Sequence, residues 1–182
     1  DVISSCRCWY TFRYFGHDAS LVSVLDGGLK KWKHEGKPTV NYKTIINKSR
    51  YRALEKKKMV KSKFEIDKNI NLKKFKVVDA RSYERFKGIV PEIRPNVKSG
   101  SIEGSSCLPF TRIINKNNNT FKNIDELNQI FNEVIDTQDN NIVFSCGSGV
   151  TASVLALAYS LINNKYIPTI YDGSWSEYGL IK

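Results

Sequence analysis

Apolar and polar positions alternate with two different periods along this chain. Short apolar runs of the kind that fill buried strands lie at residues 21–25, 76–78, 142–144 and 167–171. Between them, apolar residues recur at helical spacing, most clearly over residues 1–16, 61–69, 124–135 and 150–162. Strands that alternate with helices predict an α/β domain with a mainly parallel central sheet flanked by helices.

The third apolar run leads into the most informative stretch of the sequence. Residues 142–144 are followed by Cys146 and by a short loop that contains Gly147 and Gly149. The small, apolar residues of the next segment, 150–162, are typical of a buried helix. Glycines allow the N–H groups of such a loop to turn inward, and the positive helix end favours an anion there. A thiolate is such an anion, so Cys146 is a candidate nucleophile.

Two other interpretations of this cysteine have to be weighed. Free cysteine is often buried, so a structural residue at a strand end is the alternative. Two glycines in a simple strand-to-helix turn carry an entropic cost, which favours the nucleophile. A cysteine phosphatase would use a similar loop but needs an arginine at the position of Ala152. The sequence therefore favours transfer of sulfur over phosphate-ester chemistry.

Residues 146–152, Cys-Gly-Ser-Gly-Val-Thr-Ala, resemble the active-site loop of the 3-mercaptopyruvate sulfurtransferases, within the rhodanese superfamily. The resemblance implies a rhodanese-like domain in which Cys146 carries sulfur as a persulfide, without a metal or other cofactor. It implies that Ser148 polarises the substrate or relays a proton. The substrate-binding N–H groups are then those of Gly147, Gly149, Val150 and Thr151. Family members that use thiosulfate usually carry basic residues at the positions of Gly147 and Ser148.

Two arginines are the candidates for binding the substrate. Arg81 follows the run 76–78, at the carboxyl end of a predicted parallel strand, where α/β proteins bind ligands. Asp-Ala-Arg at 79–81 and Pro-Glu-Ile-Arg at 91–94 resemble the corresponding family segments. By that resemblance, Arg81 and Arg94 hold the carboxylate and keto oxygen of a mercapto-acid, a task suited to a permanently charged guanidinium fork. Without it, a structural ion pair is the alternative for Arg81; Arg85 is expected to be structural.

A repeated pattern near the two ends of the chain predicts its domain organisation. Asp26-Gly27 and Asp172-Gly173 each follow a short apolar run and precede a tryptophan in a helix start. The repeat predicts that residues 1–36 are the tail of a truncated first rhodanese-like domain, as in tandem-domain members of the family. Residues 37–60 are then a basic interdomain linker, and residues 61–182 the catalytic rhodanese domain. The resemblance also implies that groups assisting Ser148 belong to the missing part of the first domain.

The formal net charge of +11 comes from one segment. Residues 30–76 hold 17 Lys/Arg and 4 Asp/Glu, whereas the rest of the chain holds 12 and 14. This basic segment lacks the interleaved aromatic residues or motifs of nucleic-acid binders, so no specific nucleic-acid partner is predicted. No apolar run reaches the length of about 18 residues that a membrane helix needs. The four cysteines form no Cys-X-X-Cys pair, which disfavours a zinc site.

These observations predict a sulfurtransferase that acts on a small mercapto-acid. Sulfur would move from 3-mercaptopyruvate, through a persulfide on Cys146, to cyanide or to a thiol acceptor such as thioredoxin, with release of pyruvate. A thiosulfate-using rhodanese and a non-catalytic rhodanese-like binding module are the alternatives. A reactive thiol favours a reducing compartment. A cytoplasmic location is therefore expected, with the mitochondrion as the alternative.

Overall fold

Strands and helices alternate along the computed structural model, which describes residues 1–181. The helices are α1 (Val2–Tyr14), α2 (Gly28–His34), α3 (Lys63–Leu72), α4 (Tyr83–Phe86), α5 (Ile124–Asn132), α6 (Val150–Ile162) and α7 (Ser174–Tyr178). The strands are β1 (Val60–Lys61), β2 (Lys76–Asp79), β3 (Ser106–Cys107), β4 (Ile142–Ser145) and β5 (Ile170–Tyr171). Single turns of 3-10 helix occur at Ala19–Leu21, Lys57–Met59 and Phe110–Arg112.

The five strands form one parallel sheet in the order β1-β5-β4-β2-β3. The central pair, β2 and β4, is aligned so that Val78 faces Phe144 and Asp79 faces Ser145. Helices cover both faces, which is why successive residues of these strands are apolar rather than alternating with polar ones. The predicted α/β fold with a mainly parallel sheet flanked by helices is confirmed.

Alternate residues of each strand enter different hydrophobic clusters, because successive side chains of a strand point to opposite faces. Val78, Phe144 and Ile170 belong to the larger cluster, together with buried residues of α1, α5 and α6. The second face carries a smaller cluster beneath α3 and α7: Ile66, Val77, Ile102, Val143, Tyr171 and Trp175. The sheet is thus buried on both faces.

The amino-terminal helix α1 packs on the same core. Cys6, Trp9 and Tyr10 are buried in the larger cluster, against the face of the sheet that α6 also covers. The side chain of Asp1 accepts a hydrogen bond from the N–H of Ser4 and caps the helix start. Residues of the amino-terminal segment therefore contribute to the core around β4 and α6. Their assignment to a first rhodanese-like domain stays a prediction.

Several predicted boundaries differ from the observed elements. The apolar run 21–25 is not a strand: no strand within residues 1–181 pairs with it, and its backbone groups enter no sheet ladder. The helix expected at 61–69 begins two residues later, at Lys63, because Ser62 and Glu65 form a capping box there. The end of the predicted linker enters the fold, since Met59 is buried and Val60 starts the edge strand β1.

Candidate active site

The carboxyl ends of three neighbouring strands converge on Cys146. Strand β4 ends at Ser145, directly before the cysteine, and lies between β5 and β2. The residues after β5 form one side of the site and those after β2 the other. Because the strands are parallel, the segments that follow them meet at one edge of the sheet. The topology therefore brings the cysteine loop, the segment 172–176 and the arginine-rich segment 81–94 together.

The cysteine loop has the geometry of an anion cradle. Gly149 has φ +79°, a left-handed conformation that side chains disfavour, and forms the N-cap of α6. The N–H groups of Gly147, Ser148, Val150 and Thr151 make no hydrogen bond to other groups within residues 1–181. Four available donors at a helix amino terminus favour a bound negative charge. Gly147, Val150 and Thr151, predicted from the sequence to bind substrate through their N–H groups, are among these donors, whereas the N–H of Gly149 is taken up by the Ser174 hydroxyl.

Cys146 is 1 % exposed, which by itself is equally compatible with the structural alternative raised from the sequence. Its polar surroundings distinguish the two interpretations. The hydroxyl of Ser174 accepts hydrogen bonds from the N–H groups of Cys146 (3.2 Å) and Gly149 (3.0 Å). The same oxygen lies 3.9 Å from the Cys146 sulfur. A purely structural cysteine would not require a hydroxyl and a set of available N–H donors beside it.

Ser174 is a residue of the site that the sequence pattern does not reveal. It is fully buried, donates a hydrogen bond to the carbonyl of Tyr171 (2.8 Å), and has φ +51°. A left-handed conformation is uncommon for a residue with a Cβ atom and is frequent at functional sites. In the sequence, Asp-Gly-Ser at 172–174 stands out only as part of the repeat. A small hydroxyl residue after an Asp-Gly pair was the available signal.

A second cluster is centred on one buried carboxylate, Glu92. Its side chain is only 2 % exposed and interacts with Arg81 (3.4 Å), Arg85 (2.6 Å) and Arg94 (3.4 Å). Burial on its own would raise the pKa of Glu92. Hydrogen bonding from Arg85 and the charges of Arg85 and Arg81 outweigh burial, so the pKa lies below its ordinary value. Glu92 is therefore a carboxylate that orients three guanidinium groups.

Arg94 connects this cluster to the cysteine loop. Its guanidinium donates a hydrogen bond to the Ser148 hydroxyl (3.1 Å) and is one-third exposed. A Cβ atom at Gly147 would lie 2.8 Å from the same guanidinium. The absence of a side chain at Gly147 thus makes room for Arg94, and a positive charge reaches the loop from a different segment of the chain.

Arg81 occupies a different environment from the one expected of a substrate-binding arginine. Its side chain is 1 % exposed and donates to both oxygens of Asp79 and to the carbonyl of Gly100 (2.7 Å). The guanidinium also lies 4.8 Å from the Trp175 ring centroid. These contacts favour the ion-pair alternative and argue against a direct substrate contact. Arg85, expected to be structural, is more exposed at 23 % and shares Glu92 with Arg94.

Two further thiols, the partly buried Cys107 and the buried Cys6, lie where a thiolate is disfavoured. Burial and the negative charge of Asp79 raise the pKa of Cys107 to about 11, although Arg81 partly opposes this. Burial raises the pKa of Cys6 to about 12. Both groups are therefore neutral thiols near pH 7 and poor nucleophiles. Cys8 is exposed on α1 rather than packed within the core.

Within residues 1–181 there is no group of three or more His, Cys, Asp or Glu side chains placed to hold a metal ion. In the same part of the chain, no helix combines the length and apolar character required to cross a bilayer.

A parallel sheet with a cysteine loop at its carboxyl edge is a combination that can be compared with known protein families. The sequence model described as the rhodanese-like domain matches residues 62–180. The chain therefore belongs to the rhodanese-like family.

Individual relatives support this assignment. The chain is 37% identical over 175 residues to human 3-mercaptopyruvate sulfurtransferase, covering 96% of this chain and 58% of that protein. It is 36% identical over 172 residues to the thiosulfate sulfurtransferase of Gallus gallus, covering 94% and 57%. The crystal structure of SseA from Escherichia coli, a 3-mercaptopyruvate sulfotransferase with the rhodanese fold, superimposes with a TM-score of 0.79. That pair is 29% identical and covers 97% of this chain and 64% of SseA. The chain thus spans somewhat over half the length of the curated relatives it matches.

Proposed function

We propose that this chain is the cysteine-bearing part of a sulfurtransferase that takes sulfur from 3-mercaptopyruvate and holds it as a persulfide on Cys146. The observation that carries the proposal is the cradle of four available N–H donors around a cysteine at a helix amino terminus. The relatives that match this chain over most of its length include sulfurtransferases of both the 3-mercaptopyruvate and the thiosulfate kind. The choice of donor therefore rests on the residues of the site.

The proposed chemistry balances in two steps. The Cys146 thiolate attacks the substrate sulfur, a sulfur–sulfur bond forms, and the carbon–sulfur bond breaks. The electron pair of that bond leaves on pyruvate as its enolate, which then takes up a proton. In the second step an acceptor thiolate or cyanide attacks the outer sulfur, and Cys146 returns as a thiolate. A preorganised N–H donor is typically worth about 2.7–4 kcal/mol when it stabilises developing negative charge.

Arg94 and Arg85 are the proposed carboxylate-binding groups. Both are partly exposed and both are held by Glu92, so their guanidinium groups are oriented before a substrate arrives. Arg81 supports these two arginines indirectly. It pairs with Asp79 and with Oε2 of Glu92, the oxygen that Arg85 and Arg94 do not contact. Ser148, hydrogen-bonded to Arg94, is in a position to contact the keto group of the same substrate or to relay a proton.

Two features favour a mercapto-acid over thiosulfate as donor. Gly147 and Ser148 provide no charge of their own, and the space over Gly147 is taken by the Arg94 guanidinium. A planar guanidinium pair suits a carboxylate. Thiosulfate remains the second candidate because the relative from Gallus gallus is named for that activity. The thiol acceptor and a cytoplasmic or mitochondrial location are predictions that pull-down and imaging of the cellular protein would test.

Intact-mass spectrometry tests the proposal directly. The protein would be exposed briefly to 3-mercaptopyruvate or to thiosulfate, in its wild-type form and as Cys146→Ser, while released pyruvate is measured. We expect one added sulfur on wild type with 3-mercaptopyruvate, matched by pyruvate, and none on the variant. Preference for thiosulfate would overturn the donor while keeping the nucleophile. No adduct from either donor would contradict the sulfurtransferase proposal and favour a binding module.

A further inference from the structure

The amino-terminal helix sends one side chain to the cysteine loop. Arg7 of α1 donates a hydrogen bond to the Asp172 carboxylate (2.5 Å) and a longer one to the carbonyl of Gly149 (3.4 Å). A Cβ atom at Gly149 would lie 2.7 Å from Arg7 and 2.5 Å from Asp172. The ion pair therefore packs directly against the residue that caps α6.

The position of Arg7 is fixed by the helix that carries it. Its neighbours Cys6, Trp9 and Tyr10 are buried, and the guanidinium lies 6.0 Å from the Tyr10 ring centroid. Arg7 itself is one-third exposed. A residue anchored on both sides in this way loses less side-chain entropy when it forms a contact than a freely exposed arginine does.

Three carbonyl groups of the loop, those of Cys146, Gly147 and Gly149, are held by hydrogen bonds. The N–H of Trp175 binds the Cys146 carbonyl (2.9 Å), and the N–H of Ser176 binds the Gly147 carbonyl (3.0 Å). The Gly149 carbonyl is held by Arg7 and by the Ser153 hydroxyl (2.9 Å). A trans peptide points its N–H opposite to its carbonyl, so fixing these carbonyls orients the next three N–H groups. Those groups belong to Gly147, Ser148 and Val150.

Arg7 also balances a charge. Asp172 lies against Gly149, and an unpaired carboxylate beside the loop would disfavour a second negative charge on Cys146. Pairing with Arg7 removes much of that penalty. One side chain thus acts on both the orientation of the cradle and its charge.

We infer that Arg7 is a positioning residue for the Cys146 loop, acting through Asp172 and the Gly149 carbonyl. The amino-terminal segment is then part of the working site as well as of the core. For sulfur transfer this inference rests on the proposed function, but the effect of Arg7 on the reactivity of Cys146 can be measured without any sulfur donor.

The test compares Arg7→Met, Arg7→Lys and Arg13→Met with wild type. Arg13 lies on the same helix, 5.5 Å from the Trp9 ring centroid, so Arg13→Met removes the same charge without a loop contact. The rate at which the neutral reagent iodoacetamide labels Cys146 would be followed by peptide mass spectrometry. We expect Arg7→Met to slow labelling about fivefold to tenfold, Arg7→Lys to recover part of it, and Arg13→Met to leave it unchanged.

Persulfide formation supplies the second readout. Arg7→Met should lower kcat for the chosen donor more than it raises KM, because the arginine acts on the nucleophile rather than on the substrate. Adding Asp172→Asn to Arg7→Met should not lower the rate further, because it removes the carboxylate that the loss of Arg7 leaves unpaired.

Two results would overturn the inference. Equal labelling rates in folded Arg7→Met and wild type would reduce Arg7 to a structural contact, as would a further fall in rate when Asp172→Asn is added to Arg7→Met. If Arg7→Met fails to fold, the test rests on Arg7→Lys. Labelling slower than that of wild type would then support the inference, and labelling equal to wild type would overturn it. A wild type that labels rapidly but forms no persulfide would contradict the proposed function and leave the inference about Arg7 standing.

Discussion

Two cysteines at the carboxyl edge of the same sheet have different chemical environments. Cys107 ends β3 and Cys146 follows β4, so both lie where ligands bind in a parallel sheet. Cys107 faces the carboxylate of Asp79 and the carbonyl of Arg81 (3.6 Å), which disfavour a thiolate. Cys146 is followed by a loop of available N–H donors and a helix amino terminus. The comparison teaches that the segment after the strand, rather than the strand end itself, decides whether the surroundings of a cysteine favour a negative charge.

The largest effect on the rate of persulfide formation should come from adding a side chain at Gly149, in the loop of N–H donors. Gly149→Ala places a methyl group within 3 Å of Asp172 and Arg7 and requires φ +79°, which costs an L-residue about 1–2 kcal/mol. Because the loop must shift, persulfide formation should fall by on the order of 100-fold, the effect of losing one preorganised donor. Single-turnover mass spectrometry measures the rate.

Gly104→Ala is the matched control for this change. Gly104 has φ +74°, and no atom would lie within 4 Å of its added Cβ. It carries a similar backbone penalty without touching the loop. Equal loss of rate in the two variants would show that general destabilisation, rather than the shape of the cradle, explains the result.

Removing Arg94 tests whether substrate binding can be weakened while the reactivity of the Cys146 loop is kept. Arg94→Met should raise KM for 3-mercaptopyruvate roughly 10- to 100-fold with a smaller change in kcat, since hydrogen bonds to charged groups contribute about 1.5–3 kcal/mol. Gly147→Ala should act in the same direction, because the added methyl group displaces the Arg94 guanidinium. Steady-state pyruvate release provides both constants.

Arg112→Met is the control for Arg94→Met. Arg112 forms a bidentate pair with Glu133 on the surface, outside the candidate site. Its loss should leave KM unchanged. A KM for Arg94→Met that equals that of Arg112→Met would remove Arg94 from the proposed substrate contacts.

Ser174 offers a pair of variants with opposite backbone consequences. Ser174→Ala keeps the strained φ of +51° and leaves the buried N–H groups of Cys146 and Gly149 without their acceptor. It should lower the free energy of unfolding by about 1–3 kcal/mol. Ser174→Gly loses the same hydroxyl but relieves the left-handed strain, so its loss should be smaller by roughly 1 kcal/mol. Urea unfolding measures both, and equal losses would exclude a contribution from strain.

The last expected effect is the pH dependence of the stability that Glu92 provides. Its pKa is lowered in the folded state below the ordinary value of 4.5, so its stabilising effect is present above that value and lost as pH falls through the folded pKa. Glu92→Gln should therefore be less stable than wild type at neutral pH by about 1–3 kcal/mol, with the difference narrowing in acid. Urea unfolding at neutral and at acid pH checks this. Glu103→Gln, which changes an exposed carboxylate, is the control. A difference that widens in acid would contradict the ion-pair account.

The cysteine loop was predictable because its chemistry is local. One cysteine, two glycines and a following helix lie within a few consecutive residues, and the backbone rules that connect them need no distant partner. The alternation of apolar runs and helices was sufficient for the parallel sheet. The strand expected at 21–25 was wrong for a related reason: local pattern does not reveal whether a partner strand is available.

The arginines and Ser174 depended on contacts that the sequence does not contain. Arg81 follows its strand directly, but its side chain turns back to Asp79 two residues earlier and becomes buried. Arg85, one helical turn further on, reaches Glu92 and remains partly exposed. Ser174 and Arg7 lie far from Cys146 in sequence, and only the folded chain brings them to the loop. Exposure and partner identity, rather than residue type, distinguish these side chains.

The most direct test of the central claim is the rate at which iodoacetamide labels each cysteine of the native wild-type protein near neutral pH, resolved by peptide mass spectrometry. Cys146 is 1 % exposed, whereas Cys107 is only partly buried. If the loop activates the thiol, Cys146 should label on the order of 10-fold faster than Cys107 despite its lower exposure. Labelling that simply follows exposure, with Cys107 ahead of Cys146, would contradict the account and return Cys146 to the class of structural cysteines.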